Sequence, residues 1–155
     1  MIAKFHIVED DLTGSKIAGL LRFHLEEMHR SSPPESVHAM PIERLREADV
    51  TFWSAWDGEH LAACGALKQL DAAHGEIKSM RAAPAWRGKG AGKAVLRHLL
   101  TQAQARGYRQ VSLETGSTEE FVPARALYAA HGFTECGPFG TYSLDPFSIY
   151  MTKQL

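Results

Sequence analysis

A glycine-rich turn leads into an apolar run with helical spacing in MRAAPAWRGKGAGKAVLRHLL, residues Met80–Leu100. The glycines stand at alternate positions, 88, 90 and 92. A helix N-terminus offers unpaired N–H donors and a partial positive charge, and glycines let an anion approach its backbone. Because three glycines are also typical of an ordinary flexible loop, the rest of the chain has to decide whether this turn binds an anion.

Two common phosphate-binding patterns are excluded by spacing. A P-loop needs Gly-x-x-x-x-Gly-Lys and then Ser or Thr. Counting back from Gly92 puts Arg87 where the first glycine belongs, and Ala94 stands where the hydroxyl belongs. A dinucleotide fingerprint needs Gly-x-Gly-x-x-Gly, and counting from Gly88 puts Lys93 at its last glycine position. A nucleotide-binding regulator is therefore disfavoured.

Charge is distributed unevenly, although the formal net charge is only −1. The 37 residues from Ile77 to Leu113 contain no Asp or Glu and eight basic side chains, whereas the other 118 residues contain nine basic and eighteen acidic ones. The eight are Lys78, Arg81, Arg87, Lys89, Lys93, Arg97, Arg106 and Arg109. This asymmetry predicts binding of an anion. Few aromatic residues accompany the basic ones, so a compact phosphate group is favoured over nucleic acid.

Length and composition indicate an ordinary globular chain. With 155 residues, 45% of them hydrophobic and 23% charged, it is predicted to form one domain over residues 1–155. It shows no signal-like N-terminal segment and no apolar run near 18 residues, so a cytoplasmic protein without membrane contact is expected. Cys64 and Cys136 make no disulfide framework, and the eight histidines lack metal-ligand spacing, so no metal is expected.

Hydrophobic periodicity predicts an α/β chain around one sheet. Strands are predicted over 4–9, 50–56, 60–70, 74–83, 111–113 and in the C-terminal tail; helices are predicted from Thr13 to before Ser31 and over 42–48, 88–105 and 122–130. The predicted order is β-α-α-β-β-β-α-β-α-β-β. Its centre is a strand–helix–strand unit whose glycine turn lies at the carboxyl end of a strand, where α/β proteins bind ligands.

Two motifs resemble the GNAT superfamily of acyl-coenzyme-A-dependent N-acyltransferases. The first, within Met80–Leu100, is apolar-x-apolar-x-Pro-x-x-Arg-Gly-x-Gly-x-Gly followed by the leucine-rich helix. The second, ARALYAAHGF at Ala124–Phe133, carries Ala-x-x-Leu-Tyr and Gly-Phe. The motifs occur in the family's order, and the predicted elements agree over most of the chain. The resemblance implies a GNAT-like α/β fold: a mixed central sheet with helices on both faces and a splayed pair of parallel strands.

The resemblance also implies acetyl-CoA as the acyl-donor cosubstrate. The turn and the helix N-terminus would bind the coenzyme A pyrophosphate, and main-chain groups of strand 74–83 would pair with the pantetheine arm as an added strand does. The cofactor-binding residues that it implies are Met80, Arg81, Ala82, Arg87, Gly88, Lys89, Gly90, Ala91, Gly92 and Lys93. A main-chain N–H at residues 80–82 would also stabilise the oxyanion. For Lys89, exposure to solvent is as well supported as contact with the cofactor.

Acyl transfer to an amine needs a base for the ammonium proton and an acid for the leaving thiolate. An alkylamine with a pKa near 10.4 is only about one part in 2,500 neutral at pH 7. In the family the tyrosine of the Leu-Tyr motif, here Tyr128, is the acid, and the position of Glu76 implies the base. Strand alternation would put side chains 76, 78, 80 and 82 on one face. Glu76 could instead pair with Lys78 or Arg109, and Glu114 is the rival base.

The sequence departs from the family pattern at one position near the cofactor. Family members often have Asn three residues before the alanine of Ala-x-x-Leu-Tyr, where it contacts the cofactor. Phe121 stands there in this chain, and Thr115 or Ser117 is expected to replace the lost contact.

The acceptor is predicted to be the primary amine of a small molecule or an amino acid. In the family its specificity is set by the first two helices with their loop, here 23–40, and by the C-terminal loop, here 137–147. Candidate recognition residues are His24, Glu26, Glu27, His29 and His38. A homodimer is left open. The alternative function is a non-catalytic acyl-CoA sensor with the same fold.

Overall fold

The computed structural model describes residues 5–38 and 40–155, so position 4 of the first predicted strand lies outside the described residues. Within them, seven strands and four α-helices follow the predicted order. The strands are β1 His6–Glu9, β2 Val50–Asp57, β3 His60–Asp71, β4 His74–Ala82, β5 Gln110–Gly116, β6 Thr134–Cys136 and β7 Ser148–Gln154. The helices are α1 Ser15–Ser31, α2 Ile42–Leu45, α3 Ala91–Ala105 and α4 Val122–Ala130.

The strands form one sheet in the order β1-β2-β3-β4-β5-β7-β6. All neighbours pair antiparallel except β4 and β5, which are parallel. Apolar residues of α3 and α4 pack on one face of the sheet, and those of α1 and α2 pack on the other. The predicted fold class, a mixed sheet covered by helices on both faces, is confirmed.

The parallel pair separates part-way along its length. Pairing between β4 and β5 runs from His74 with Gln110 to Ile77 with Leu113. Beyond these pairs β4 continues to Ala82 and β5 continues to Gly116. The predicted splay is therefore present, and it leaves main-chain groups of both strands facing a gap.

A bulge in β4 changes the side-chain alternation that the sequence predicted. Lys78 pairs with Ala66 and Arg81 pairs with Cys64, so three steps along β4 match two along β3. Ser79 lies between them with a positive φ of 53°. Met80 and Ala82 consequently pack against the core under α3 and not on the face of Glu76. The prediction that side chains 76, 78, 80 and 82 share one face is wrong beyond position 78, because the bulge shifts the alternation by one residue.

Two predicted helix boundaries also change. The glycine-led helix begins at Ala91 and not at residue 88, since Gly88 and Gly90 have φ values of +73° and +86°, outside the helical region. The second helix ends at Leu45, three residues before its predicted end.

Among residues 5–38 and 40–155, none of the helices has both the length and the apolar character needed to cross a bilayer. In the same part of the chain, no three His, Cys, Asp or Glu side chains are grouped closely enough to hold a metal ion.

Candidate active site

A cleft of about 840 Å³ opens where β4 and β5 separate. One end is formed by the glycine turn and the first turn of α3, and the opposite wall by α1 and the loop 137–147. The lining includes most of the predicted site residues: Glu76, Met80, Arg81, Ala82, Arg87, Gly88, Gly90, Ala91, Gly92, Lys93 and Tyr128. The fold thus brings together the two motifs, which are separated in the chain by the 23 residues from 101 to 123.

The turn before α3 has the features of an anion site. Gly90 occupies the N-cap without a side-chain hydrogen bond to the helix, and the first turn contains no acidic residue. A Cβ built at Gly88 or Gly90 would meet no atom within 4 Å, so both positions open onto free space. The first N–H groups of a helix lack internal partners, and here Lys93 adds positive charge beside them. The backbone is therefore accessible to a phosphate group.

The two other basic residues of the turn differ in their placement. Arg87 lines the cleft with a side chain that is 55% exposed, and its Nη2 lies 4.0 Å from Glu27 Oε1 of α1. Lys89 is not part of the cleft lining, and its Nζ lies 5.3 Å from the centroid of the Trp86 ring. Arg87 is therefore better placed than Lys89 to contact a bound phosphate.

Tyr128 of α4 is buried at the sheet end of the cleft, with 6% of its surface exposed. Its ring packs edge-on against Phe133 at a centroid distance of 5.9 Å. Burial raises the pKa of Tyr128 to about 12, and the negative charge of Glu114 acts in the same direction while Arg81 opposes it. The phenol is therefore protonated at neutral pH. Within the described residues its hydroxyl has no hydrogen-bond partner, which leaves it available to a ligand.

Glu76 is held in a network with the loop 137–147. Its Oε2 accepts hydrogen bonds from the Tyr142 hydroxyl at 2.6 Å and from Lys78 Nζ at 3.2 Å. Lys78 Nζ also donates to the Tyr142 oxygen at 2.8 Å. Burial and the charge of Glu76 raise the pKa of Tyr142 well above its ordinary value. Of the two basic partners considered for Glu76, Lys78 is the one in contact with it.

Glu114 lies on β5 immediately beyond the last residue paired with β4. Its Oε2 accepts a hydrogen bond from Ser148 Oγ at 2.8 Å, and the residue lines the cleft. Burial raises the pKa of Glu114 to about 7, although the Ser148 hydrogen bond and the charge of Lys78 both oppose the rise. A carboxyl group with this pKa exchanges its proton readily near neutral pH.

Arg81 projects toward α1 because of the bulge in β4. Its Nε donates a hydrogen bond to His24 Nδ1 at 2.9 Å, and its guanidinium carbon lies 5.8 Å from the centroid of the Phe23 ring. His24 is buried, and burial together with the Arg81 charge lowers its pKa to about 3. His24 is therefore neutral, and because Nδ1 accepts the hydrogen bond, its own proton is on Nε2.

Residues 8–133 match the Acetyltransferase (GNAT) family. The chain belongs to the GNAT acetyltransferase family. This acetyltransferase is 53% identical over 150 residues to the uncharacterized N-acetyltransferase YsnE of Bacillus subtilis (strain 168), which covers 97% of this chain and 99% of YsnE. It is 47% identical over 151 residues to the uncharacterized N-acetyltransferase YedL of Escherichia coli (strain K12), with 97% and 95% covered. The predicted enzyme class, an N-acetyltransferase, is thereby confirmed.

Solved structures show the same GNAT fold. A protein from Klebsiella pneumoniae described as an acyl-CoA N-acyltransferase superimposes with a TM-score of 0.78 at 24% identity, over 97% of each chain. A GNAT acetyltransferase from Elizabethkingia anophelis, solved with acetyl-CoA bound, superimposes with a TM-score of 0.70 at 16% identity, over 98% of this chain and 99% of that one.

Several residues of this GNAT acetyltransferase are placed differently from the sequence-based expectation. Of the acceptor candidates, His24, Glu27 and His38 line the cleft, whereas Glu26 and His29 do not. Thr115 lines the cleft as well. The Ser117 hydroxyl donates a hydrogen bond to Pro146 O at 2.7 Å, and Ser117 is not part of the lining.

Phe121, at the position where the family often has Asn, lies flat over the end of β5. A Cβ at Gly116 would fall 2.1 Å from the Phe121 ring, so the glycine makes room for it. The ring also lines the cleft. Sequence analysis missed this pairing, although the occurrence of a glycine at the end of a predicted strand was the available signal.

Tyr142 was missed as an individual cleft residue. It is 66 residues from Glu76 in the chain, and the loop that carries it has no periodic pattern. Only the general assignment of the loop 137–147 to the acceptor side pointed toward it.

Proposed function

We propose that this chain transfers the acetyl group of acetyl-CoA to the primary amine of a small molecule or amino acid, by direct attack while both substrates are bound. The observation that carries the proposal is a single cleft lined by the open N-terminus of α3, the buried Tyr128 and the carboxyl groups of Glu76 and Glu114. The acetyl-CoA in the related Elizabethkingia structure supports the choice of donor. Residues 1–155 would act as one N-acetyltransferase domain.

The donor half of the cleft fits coenzyme A chemically. Gly88, Gly90 and the start of α3 offer an open cradle to a pyrophosphate, with Arg87 and Lys93 as counter-charges. Ser79 Oγ is buried in the bulge, and within the described residues it has no hydrogen-bond partner. This hydroxyl and the main-chain groups of residues 80–82 would serve the amide-rich pantetheine arm. When bound, acetyl-CoA would supply an acetyl group activated as a thioester.

We assign the acid to Tyr128. Its pKa of about 12 keeps the proton on the phenol at neutral pH. The buried hydroxyl faces the cleft without another partner among the described residues, so it can donate a hydrogen bond, and then its proton, to the sulfur on which negative charge develops as the C–S bond breaks. The main-chain N–H of Met80 at the bulge is the proposed donor to the oxyanion.

The base is assigned differently from the sequence prediction. Glu76 stays a predicted base, but both of its hydrogen-bond donors hold the same carboxylate oxygen. Glu114 has a pKa near 7, which suits proton transfer at neutral pH. We therefore favour Glu114 as the base and assign Glu76 the task of fixing Tyr142 and Lys78 on the acceptor side.

The test is thiol release from acetyl-CoA, measured over a panel of primary amines with mass-spectrometric detection of the N-acetylated product. We expect amine-dependent release of one thiol for each acetylated product. Tyr128→Phe serves as the catalytically impaired control with an intact cleft. Binding of acetyl-CoA without amine-dependent product from any acceptor would contradict the proposal and favour an acyl-CoA sensor.

A further inference from the structure

Within the described residues, only one of the three nitrogens of the Arg81 guanidinium makes a hydrogen bond. The sequence resemblance implied a main-chain role for this residue, but its side chain lines the cleft. Nε donates to His24, whereas neither Nη1 nor Nη2 has a hydrogen-bond partner in residues 5–38 and 40–155. Two parallel N–H donors of one arginine therefore remain for a ligand.

The orientation of this guanidinium is fixed from two sides. His24 is buried and neutral, so its Nδ1 is a constant acceptor for Nε at physiological pH. The Phe23 ring lies 5.8 Å from the guanidinium carbon, a distance typical of a cation–π contact. An arginine held in this way loses little conformational freedom when it binds an anion, which favours tight recognition.

Glu27 is the carboxylate whose charge acts on Arg81, and it already interacts with two other arginines. Glu27 makes an ion pair with Arg30 and lies 4.0 Å from Arg87. Burial lowers the pKa of Arg81, and the neighbouring charge of Arg87 acts in the same direction. Within the described residues Arg81 makes no ion pair of its own, and a half-buried guanidinium in that state is costly to maintain. A charged group of this kind in a cleft is a candidate for binding an anionic ligand.

Arg81 lies between the proposed phosphate cradle and the proposed acid. Its guanidinium carbon and that of Arg87 lie 5.8 Å and 5.9 Å from the centroid of the same Phe23 ring, and its charge acts on the phenol of Tyr128. An anion held by Arg81 would therefore lie between the cradle and the acid, where the acceptor has to approach the thioester.

We propose that Arg81 binds a carboxylate of the acceptor, so that the acceptor belongs to the amino-acid class and carries its carboxylate close to the reacting amine. This inference rests on the proposed N-acetyltransferase function and narrows it. A planar carboxylate matches two parallel guanidinium N–H donors, and such charge-assisted pairs are among the strongest hydrogen bonds in proteins.

The experiment uses acceptor pairs related by loss of the carboxylate: glycine and methylamine, leucine and 3-methylbutylamine, phenylalanine and 2-phenylethylamine. Because the carboxylate also lowers the pKa of the neighbouring amine, kcat/KM is expressed for the neutral amine of each acceptor. For the best pair we expect kcat/KM to favour the amino acid by about 10- to 100-fold. Arg81→Gln should remove most of this preference, measured as the ratio of kcat/KM for the amino acid to kcat/KM for its plain amine, so that an effect common to both acceptors cancels. Arg81→Lys should recover part of it, since Lys keeps the charge and loses the planar fork.

A binding measurement makes the test independent of turnover. N-acetylglycine is titrated calorimetrically into the coenzyme A complex of the wild type and of Arg81→Gln. Arg44→Gln is a matched surface control, because the exposed Arg44 pairs with Glu47 and is not part of the cleft lining. We expect Arg81→Gln to weaken N-acetylglycine binding by at least about 10-fold, with the affinity for coenzyme A unchanged.

Three outcomes would overturn the inference. Wild-type enzyme that acetylates amines without preferring the carboxylate leaves the proposed function standing and removes the role of Arg81. A loss of coenzyme A affinity in Arg81→Gln, with N-acetylglycine binding intact, assigns the arginine to a cofactor phosphate. If no amine is acetylated, the proposed function fails, and equal N-acetylglycine binding by both proteins refutes the carboxylate site separately.

Discussion

The two halves of the cleft are built in different ways. The phosphate cradle of the proposed donor half uses consecutive residues, 87–93, and presents mainly backbone N–H groups at the start of α3. The proposed acceptor half uses side chains from distant parts of the chain: Arg81 meets His24 across 57 residues, and Tyr142 meets Glu76 across 66. A site made of backbone groups requires glycines at a fixed spacing, so it is visible in the sequence as a motif. A site made of side chains requires only that they meet in three dimensions, so it produces no motif.

This difference predicts how substitutions in the two halves will act. Changes at the glycine turn should alter the affinity for coenzyme A and leave acceptor choice unaffected. Changes around Arg81 and Tyr142 should alter which amines are accepted. Tyr128 and Glu114 lie where the halves meet, so their substitution should affect the chemical step most.

The largest effect is expected for Tyr128→Phe. The ring keeps its packing on Phe133, but the proton donor is lost, so kcat should fall by about 100-fold with little change in acetyl-CoA affinity. Steady-state kinetics and calorimetric titration measure the two quantities. Tyr108→Phe is the matched control, since Tyr108 is also buried but is not part of the cleft lining.

A preserved kcat with weakened acetyl-CoA binding would make Tyr128 a binding residue of the donor half. The proposed mechanism would then have no acid.

The second prediction concerns Glu114→Gln. With its pKa near 7, Glu114 is about half ionised at pH 7 and able to accept a proton in a larger fraction of molecules above it, so its loss should lower kcat/KM at pH 7 by about 30-fold. At pH 9 the loss should shrink, because about 100 times more of the amine is already neutral than at pH 7. The measurement is kcat/KM against pH for wild type and variant.

Glu76→Gln is the companion variant, because both carboxylates lie in the cleft. If Glu76 only anchors Tyr142 and Lys78, its variant should raise KM for the acceptor by a factor that does not depend on pH. A pH-dependent loss in Glu76→Gln, and none in Glu114→Gln, would restore Glu76 as the base.

A smaller effect is expected for Gly90→Val. The φ of +86° disfavours a β-branched residue, and the added side chain would extend into the open space before α3. Coenzyme A should bind at least about 10-fold more weakly. Gly107→Val tests strain alone, because Gly107 has a φ of +80° and an equally open Cβ position after the last residues of the same helix.

Both glycine variants should lose similar stability in thermal unfolding, and only Gly90→Val should lose affinity. Equal affinities in the two folded variants would exclude a phosphate site at the turn.

The smallest effect is expected for Arg87→Ala. Its side chain is 55% exposed, so solvent and salt screen its charge, and coenzyme A binding should weaken only about 3-fold at low ionic strength. Titrations at about 20 mM and 500 mM salt should show the difference disappearing at high salt. A loss that persists at high salt would indicate a direct, desolvated contact.

The glycine turn at the start of α3 and the order of elements could be predicted because local rules determine them. Glycines 88 and 90 have backbone conformations that other residues rarely adopt, and the helix periodicity after them is regular. The bulge at Ser79 could not be predicted, since a serine with positive φ leaves no local pattern. For the same reason the placement of the Arg81 side chain in the cleft was not apparent from the sequence.

The raised pKa of Glu114 was also beyond sequence analysis. Glu76 and Glu114 are both predicted strand residues near the cleft, and nothing local separates them. Burial, one hydrogen bond from Ser148 and the surrounding charges determine the state of Glu114, and these depend on the packing of β7 and the loop before it.

The bulge in β4 has a consequence for insertions and deletions. Ile77 and Met80 pack toward α3, while Lys78 and Arg81 belong to the opposite face, and this arrangement depends on one additional residue between them. Deleting Ser79 would restore simple alternation, and Met80 and Arg81 would keep their faces because the residue removed is the additional one. Straightening the bulge with Ser79 retained would instead turn Arg81 into the apolar core and Met80 onto the face of Glu76 and Lys78. The bulge itself, and not the identity of the neighbouring side chains, therefore determines which residues of this segment face the cleft.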